Sequence, residues 1–559
     1  MGKISIYQVF TRLFGNLTNH TIPNGSIKEN GVGKFSDFST KALQEIKALG
    51  ITHIWYTGVI EHATQTTYKG ILQDHPAVVK GKAGSPYAIK DYYDVDPDLA
   101  DKVSDRMQEF EQLVERTHQQ DLQVIIDFVP NHVARQYHSD AKPTSIEDLG
   151  ATDNTSLNFS PYNNFYYLPN NQLKDTFNPS ATLGNPYVEC PAKATGNNLF
   201  TTHPTMNDWY ETIKLNYGIN YFNGNSAHFS PTPDTWIKMK DILLFWASKK
   251  VDAFRCDMAE MVPVEFWHWA ITEVKKEYPA VLFIAEVYDP SQYHNYIYNG
   301  LFDYLYDKVG LYDTLKGVIR GETPATRITT CWQSLNGLEN RMLNFLENHD
   351  EQRIASDFFA KDARKAIPAM LVATCLNKSP IMTYFGQEFG ERGMDAEGFS
   401  GRDGRTTIFD YWSVSTIRKW INNDYHISSF PTETQSTYHS YQSILNLSQK
   451  EAAIYQGDFF DLMYVNQDGW KFNKERNYTF LRKYQNEVLL FVINFDSFPI
   501  EVAINIPSHA FDYLQIPPRD CYKAVDLLTN QAEDISLLPY KATTTSVNGW
   551  SGKVLKIIL

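Results

Sequence analysis

Short apolar runs alternate with longer helical patterns over roughly the first 450 residues, and this rhythm constrains the fold more than any other feature. The segments 122–129, 251–257 and 280–286 are near-continuous apolar runs, and each follows a segment with apolar residues at helical spacing. Such strands, separated by helices, are typical of a parallel sheet that is covered on both faces. So many units in one stretch favour a closed α/β barrel, the (β/α)₈ TIM barrel, over an open doubly wound sheet.

Two regions depart from this rhythm. Residues 133–235 are rich in Asn, Pro, Tyr, Ser and Thr and are too long for a bare loop, so we predict an inserted subdomain after the third strand. Beyond residue 451 apolar and polar residues alternate, which predicts an antiparallel C-terminal β-sandwich. The predicted domains are the catalytic barrel over 1–132 and 236–451, the insert over 133–235 and the β-sandwich over 452–559.

Composition argues against several classes of protein. The chain carries 51 Lys and Arg against 65 Asp and Glu, a formal net charge of −14, which argues against a nucleic-acid protein because phosphate binding requires a basic face. No stretch approaches the ~18 apolar residues that span a membrane, so we expect no membrane span. The five cysteines are scattered and form no Cys-x-x-Cys or Cys/His cluster, which indicates neither a disulfide framework nor a zinc site.

The N-terminal residues lack the apolar core and the small-residue cleavage site of a signal peptide. We therefore expect a cytoplasmic protein, or a periplasmic or secreted one if a signal peptide has been removed. The sequence makes no prediction of the oligomeric state.

Several apolar strands end in polar clusters. Asp127 leads into Asn131 and His132, the fourth predicted strand ends in Arg255 and Asp257, the fifth ends in Glu286, and the run over 342–346 is followed by His349 and Asp350. The spacing assigns these ends to strands 3, 4, 5 and 7, because Asp257 and Glu286 lie 29 residues apart, about one βα unit. In a closed barrel such ends converge on one face, where loops build active sites.

Three carboxylates, two histidines and one arginine in a common cleft suit glycosidic-bond chemistry. Cleavage of that bond passes through an oxocarbenium-like transition state and needs one carboxylic acid to protonate the leaving oxygen. A second carboxylate attacks the sugar or activates water. Clustered carboxylates also raise the pKa of at least one member, which keeps an acid protonated near neutral pH.

These segments resemble the α-amylase superfamily of glycoside hydrolases over most of the chain. Asp127-Phe-Val-Pro-Asn-His132 matches the first signature block of that family, and Phe254-Arg-x-Asp257 matches the nucleophile block. Ala285-Glu286 matches the acid/base block, and Phe345-Leu-Glu-Asn-His-Asp350 matches the final block. Each block alone is weak, but four in order on predicted strand ends are highly specific.

The resemblance implies a role for each matched residue. Asp257 is the expected nucleophile, Glu286 the general acid and then base, and Asp350 the carboxylate that binds two hydroxyls of the distorted sugar. Arg255 is expected to keep Asp257 ionised, and double displacement would place the carboxyl groups of Asp257 and Glu286 ~5 to 5.5 Å apart. The residues expected to bind substrate are Tyr87, which would stack beneath the sugar, Asp91, His132, Arg255, His349 and Arg353.

Structural alternatives accompany these roles. Asp257 and Glu286 could form a buried ion-pair network with Arg255, and Asp350 could cap a helix over 351–358. Tyr87 could belong to the core, and Asp127 is expected to be structural, bonded to Arg255 or to backbone. The aromatic segment 162–167 could be a sugar platform or the core of the insert.

The chain also departs from the family pattern. Glu260 and Met261 stand where typical α-amylases carry Lys-His, which contacts leaving-group sugars. Asn131 matches a calcium ligand of the family, yet Lys214 stands where an Asp is expected in the insert, and Lys34 occupies a ligand position in a loop that is acidic in some relatives. The resemblance thus leaves a Ca²⁺ site open, with Asn131 as its ligand, and implies no organic cofactor.

The leading functional hypothesis is a retaining hydrolase of α-1,4-linked glucans such as starch fragments or maltooligosaccharides. A glycosyltransferase, or a trehalose- or maltose-type isomerase, would use the same covalent intermediate, and Glu260-Met261 keeps that alternative open. A carbohydrate-binding scaffold on an inactive barrel is the third hypothesis, and it predicts the loss of at least one of the three carboxylates.

Overall fold

The computed structural model of the chain describes residues 2–174, 186–467 and 471–559. Residues 175–185 of the predicted insert and 468–470 of the predicted C-terminal domain lie outside the described residues.

Eight parallel strands close into a barrel, which confirms the predicted fold class. The first strand pairs with both the second and the eighth, so the sheet has no free edge. Strands 3, 4, 5 and 7 are the ones to which the sequence assigned the polar clusters. The barrel strands are β1 Ser5–Phe10, β2 His53–Thr57, β3 Gln123–Phe128, β4 Ala253–Cys256, β5 Leu282–Ala285, β6 Tyr304–Tyr306, β7 Met342–Phe345 and β8 Ile381–Tyr384.

Alternate residues of each strand face opposite sides of the barrel wall. In β3, Ile125 packs inside the barrel with residues such as Trp55 and Leu343, whereas Val124 and Ile126 belong to the larger core beneath the helices. Since both faces of these strands are buried, the strands read as continuous apolar runs.

Helices cover the outside of the barrel. Helices Arg106–His118, Asp234–Ser248 and Val264–Glu277 precede β3, β4 and β5, as the alternating pattern predicts. The main helices are Thr40–Ala48, Arg106–His118, Asp234–Ser248, Val264–Glu277, Asp313–Arg320, Arg327–Ser334, Ile367–Cys375, Ser415–Asn422 and Thr432–Lys450, and the shorter ones are Thr11–Phe14, Ile27–Asn30, Ala452–Tyr455 and Ser508–Leu514. No helix among the described residues is long and apolar enough to cross a membrane.

The insert leaves the barrel after β3 and contains short antiparallel strand pairs. His132–Ala134 pairs with Thr212–Lys214, so the start of the insert lies beside a segment from its last third. Of the aromatic segment 162–167, Phe165, Tyr166 and Tyr167 are buried and so belong to the core of the insert, whereas Tyr162 is 61% exposed. Among the described residues of the insert, Tyr167–Leu168 also pairs with Ala192–Lys193, and Ile219–Asn220 with Ser226–Ala227. A further short pair, Ile60–His62 with Ile89–Val95, lies between β2 and β3.

The C-terminal part is antiparallel, as predicted. Among its described residues, six strands form one sheet and two form another. The larger sheet runs in the order Asp458–Asp461, Asn477–Tyr484, Glu487–Asn494, Ser551–Ile558, Arg519–Asp526, Ala532–Leu537, and the smaller one pairs Ile500–Ile504 with Thr543–Val547. The domain boundaries at residues 132, 235 and 451 stay predictions.

Candidate active site

The carboxylates at the ends of β4, β5 and β7 open onto one cavity of about 380 Å³. Asp257 follows β4, Glu286 follows β5 and Asp350 comes five residues after the end of β7. Six of the predicted site residues lie in the cavity wall: Tyr87, His132, Asp257, Glu286, His349 and Asp350. The parallel barrel produces this convergence because all of its strands end at the same rim.

Arg255 organises the acidic groups from behind the cavity. Its guanidinium contacts Asp257 at 2.8 Å, Glu286 at 2.7 Å and Asp127 at 3.4 Å, and only 1% of its surface is exposed. Asp127 also accepts a hydrogen bond from the indole of Trp55 at 2.9 Å, which fits the expected structural role. We call Asp127, Arg255, Asp257 and Glu286 the Arg255 group.

Burial and neighbouring charge set the protonation of Asp257. Removal from water raises the pKa of Asp257 well above its ordinary value, and the carboxylates of Glu286, Asp127 and Asp350 add to that rise. Arg255 opposes the shift by direct ion pairing but does not reverse it, which corrects the expectation that this guanidinium by itself keeps Asp257 ionised. The cavity therefore disfavours a state in which every one of its carboxyl groups is charged.

Two hydrogen-bond donors and one cation hold Glu286. The backbone N–H of Met258 donates to its Oε2 at 2.8 Å, Arg255 approaches the same oxygen, and the Tyr288 hydroxyl donates to Oε1. Met258 adopts a left-handed backbone conformation with φ 42°, an uncommon state for a residue with a side chain, directly after Asp257. This turn directs the Met258 N–H at Glu286 and so links the two carboxylates through the backbone.

Glu260 fixes the segment that carries Tyr288. Its Oε2 accepts hydrogen bonds from the backbone N–H groups of Tyr288 and Asp289, both at 3.0 Å. Glu260, which departs from the family pattern, therefore has a structural role in this chain, because its carboxylate holds the loop after β5 in place.

Asp350 lies across the cavity beside His349. Partial withdrawal from water raises its pKa, but the His349 ring at 3.1 Å and the cations Arg255 and Arg405 outweigh this and hold the pKa at about 2. The Asp350 side chain is 44% exposed. The described segment 351–358 contains no helix, so the alternative of a helix cap is wrong.

Aromatic rings form the wall around these groups. The Tyr87 ring stacks on His349 with centroids 5.1 Å apart, and its hydroxyl contacts Nε2 of that histidine at 2.6 Å. His132 lies 5.2 Å from the Trp209 ring, centroid to centroid. Burial and the nearby lysines Lys214 and Lys80 lower the pKa of His132 to about 3, so its ring is neutral at physiological pH.

The cavity also contains residues that sequence reasoning missed. Lys80 and Glu211 form an ion pair at 3.1 Å, which joins the loop after β2 to the insert. Ile408 and Phe409 come from the loop after β8, and no strand-end motif points to them. Behind the cavity wall, Gln8 in β1 contacts Nδ1 of His349 at 2.8 Å, and a glutamine within a fully buried strand is the signal that could have identified it.

Three predicted substrate-binding residues do not lie in the cavity wall, and these expectations need correction. Arg255 is taken up by carboxylates. Arg353 is fully buried, where it bonds Glu347 and Thr406, both at 2.9 Å. Asp91 accepts hydrogen bonds from the Ser139 hydroxyl at 2.6 Å and the Asp140 N–H at 2.9 Å, so it anchors the insert.

The residues around Asn131 do not fit a calcium ion. The amino nitrogen of Lys214 donates to Asn131 Oδ1 and, at 3.1 Å, to the backbone oxygen of Met261. These oxygens are therefore engaged by a lysine, which corrects the expectation that Asn131 is a metal ligand. Burial lowers the pKa of Lys214 to about 7, and the amine has N–H donors in either protonation state.

A second acidic cluster lies outside the cavity wall. Carboxylate oxygens of Glu61, Asp94 and Asp140, which we call the Glu61 group, come within 4.8 Å of one another. Arg106 already ion-pairs with Asp94 and approaches Asp140 at 4.0 Å. Glu61 Oε2 is buried and has no hydrogen-bond partner among the described residues.

Comparison with known families is consistent with this site. The model of the alpha-amylase family, described as alpha amylase, catalytic domain, matches residues 8–457. Alpha-amylase 3 of Dictyoglomus thermophilum is 23% identical over 475 residues, which cover 81% of this chain and 78% of the relative. A maltosyltransferase of Cereibacter sphaeroides, named for alpha-1,4-glucan and maltose-1-phosphate, is 34% identical over only 92 residues, or 16% of its length.

Solved structures share the whole architecture. A maltogenic alpha-amylase from Thermotoga neapolitana superposes with a TM-score of 0.63 at 18% identity and covers 100% of this chain and 99% of its own. The alpha-amylase from Geobacillus thermoleovorans, solved with acarbose, gives a TM-score of 0.63 at 19% identity, with 100% and 98% covered. At these identities the likeness shows a common fold.

Proposed function

Because the chain belongs to the alpha-amylase family of glycoside hydrolases, we propose that it is a retaining hydrolase that cleaves α-1,4-glucosidic bonds in starch-derived glucans or maltooligosaccharides. The observation that carries this proposal is that Asp257 and Glu286, both in the wall of one cavity, contact the same buried guanidinium. A retaining mechanism needs two carboxyl groups ~5 to 5.5 Å apart, and a shared guanidinium holds two such groups close together.

In the proposed reaction, Asp257 and Glu286 share one proton as a coupled pair. With that proton on Glu286, the charged Asp257 attacks the anomeric carbon while Glu286 gives the proton to the glycosidic oxygen. The bond between that carbon and the leaving sugar breaks, and a β-glycosyl ester of Asp257 forms. Water then attacks the same carbon, Glu286 accepts a proton from it, and the ester bond breaks. Two inversions retain the α configuration.

The other cavity residues are proposed to hold the sugar. Asp350 is ionised, since its pKa is held at about 2, and it accepts hydrogen bonds from two hydroxyls of the reacting ring. The neutral His132 and the ring of His349 bond hydroxyls from the sides. Tyr87 offers its ring face to the apolar face of the sugar. The Ca²⁺ that the family resemblance left open has no part in this proposal.

Transfer of the glycosyl group to a second sugar is the alternative function, and the contacts of Glu260 and Met261 favour it. Glu260 is bonded to backbone N–H groups and Met261 accepts from Lys214, so neither supplies the Lys-His contact of typical relatives on the acceptor side. The short match to a maltosyltransferase points the same way. A phosphorylated sugar donor would need a cation to bind its phosphate. Lys80, the only lysine in the cavity wall among the described residues, is already paired with Glu211, which argues against such a donor.

Product analysis with maltoheptaose separates the two functions. We expect reducing ends to accumulate, because water resolves the ester, and we expect nuclear magnetic resonance to show the α-anomer as the first product. Redistribution of chain lengths at a constant number of reducing ends would establish transfer instead. Phosphate release from added maltose 1-phosphate would identify the donor of such a transferase, and a β-anomeric first product would contradict retention.

A further inference from the structure

Lys214 lies where the insert rejoins the barrel. It ends the strand Thr212–Lys214, and it is paired in register with His132, which follows β3 and lines the cavity. The Lys214 side chain also reaches the segment after β4 through the carbonyl oxygen of Met261. One buried nitrogen therefore joins three parts of the chain that enclose the active site.

The oxygens around this nitrogen are those that a hard cation would use. Asn131 Oδ1 and the Met261 carbonyl oxygen are neutral oxygen ligands of the kind that Ca²⁺ prefers. The Asn131 Nδ2 donates to the Gly196 carbonyl at 2.8 Å, which directs Oδ1 of the same amide towards Lys214. Lys214 is only 2% exposed, so its nitrogen is not displaced into solvent.

We propose that the Lys214 amino group is a built-in substitute for a metal ion, which fastens the insert to the barrel so that this chain needs no calcium at the junction. The two oxygens cannot ligate a metal while the lysine nitrogen lies against them. A lysine supplies up to three N–H donors from the chain itself, whereas calcium must be drawn from solution. The proposal concerns stability and does not depend on the reaction that the site performs.

A lysine also occupies the second position where the family resemblance left a calcium site open. Lys34 ends the loop that is acidic in some relatives, and its nitrogen donates to the backbone oxygens of Asp98 at 2.6 Å and Ala100 at 3.0 Å. Here too a lysine engages carbonyl oxygens and joins two segments. At both positions the side chain provides the contacts that would otherwise fall to an ion.

Thermal unfolding of the full-length protein with and without calcium or the chelator EDTA tests the proposal. We expect the melting temperature of the wild type to be the same in both, and isothermal titration with CaCl₂ to show no binding at this junction. Among the described residues, the Glu61 group is the set of carboxylates whose oxygens lie close enough together to hold an ion, so the titration is repeated on Glu61→Gln. A calcium-dependent rise in melting temperature that survives Glu61→Gln would overturn the proposal.

Two substitutions at Lys214 test the position itself. Lys214→Met keeps the length of the side chain and removes the donors, and we expect the melting temperature to fall by about 2–5 °C. Lys214→Asp offers a carboxylate beside Asn131 Oδ1 and the Met261 carbonyl oxygen, and we expect added calcium to raise its melting temperature by about 2–5 °C.

The exposed Lys28 provides the matched control, since Lys28→Met removes a lysine without a buried contact. Equal losses in Lys214→Met and Lys28→Met, or a Lys214→Asp protein that ignores calcium, would overturn the assignment. If Lys214→Met does not fold, the calcium titrations of the wild type and of Glu61→Gln still decide the question.

Discussion

Two groups of carboxylates, all buried except Asp140, differ in how cations contact them. In the Arg255 group one guanidinium contacts three carboxylates at 2.7–3.4 Å, and two of those carboxylates face the cavity. In the Glu61 group, Arg106 pairs with Asp94, while Glu61 Oε2 has no partner among the described residues. Burial, with the charges of Asp91 and Asp94, raises the pKa of Glu61 to about 9.

The difference shows what burial alone does to a carboxylate. An unpaired buried carboxyl keeps its proton and therefore carries no charge. It lowers the stability of the fold above the pH at which the same group ionises in the unfolded chain. A shared guanidinium keeps several carboxyls in fixed positions and lets one hold a proton while another is charged. Where such carboxyl groups also line a cavity, they can take part in a reaction with a bound molecule.

Asp257→Ala gives the largest expected effect, because it removes the proposed nucleophile from the Arg255 group. We expect kcat/KM on maltooligosaccharides to fall by about 10⁴-fold or more, while circular dichroism shows the fold intact. Glu61→Gln is the matched control from the other group, and its activity should equal that of the wild type. Substantial residual turnover in Asp257→Ala would refute the nucleophile assignment.

Glu286→Gln is expected to have a smaller effect that depends on substrate. The amide cannot donate a proton, so cleavage of maltooligosaccharides should fall by about 10²–10⁴-fold. Activated aryl glycosides should lose much less, because a good leaving group needs little proton assistance. The exposed Glu265→Gln serves as control. Equal losses on both substrate classes would count against the role of Glu286 as acid.

Glu61→Gln tests how the unpaired carboxyl of the Glu61 group affects stability. The folded pKa of about 9 lies above the unfolded value of 4.5, so between these values the unfolded chain releases a proton that the folded chain keeps. The stability that protonated Glu61 provides is therefore lost as the pH rises through this window.

Glutamine has a similar shape and does not titrate. The free energy of unfolding of Glu61→Gln relative to the wild type should thus rise between pH 5 and pH 8, by at most about 4 kcal/mol. Urea denaturation at several pH values measures this, and Glu265→Gln is again the control. A constant difference across that range would show that Glu61 does not titrate as the structure indicates.

The sequence predicted the parts of the site that lie on strand ends. Asp257, Glu286 and Asp350 could be located because strand periodicity and short motifs coincide there. Lys80, Glu211 and Phe409 come from the insert and from loops, where no period fixes the chain and only the tertiary fold brings segments together. Arg353 and Asp91 were misplaced because charge and proximity to a motif do not reveal whether a side chain faces a cavity or a buried partner.

Tyr288→Phe is expected to have the smallest effect and tests how finely the Arg255 group is organised. The Tyr288 hydroxyl donates to Glu286 Oε1, and Glu260 holds the backbone of Tyr288 in place, so the phenol acts through Glu286 as a positioning residue. Its loss should lower kcat by about 10-fold with KM little changed, since the ring and its contact with the cavity remain. Tyr540→Phe at a 90% exposed position is the control. A rise in KM at constant kcat would instead mean that Tyr288 binds the sugar, and the group would then need no hydroxyl to orient its acid.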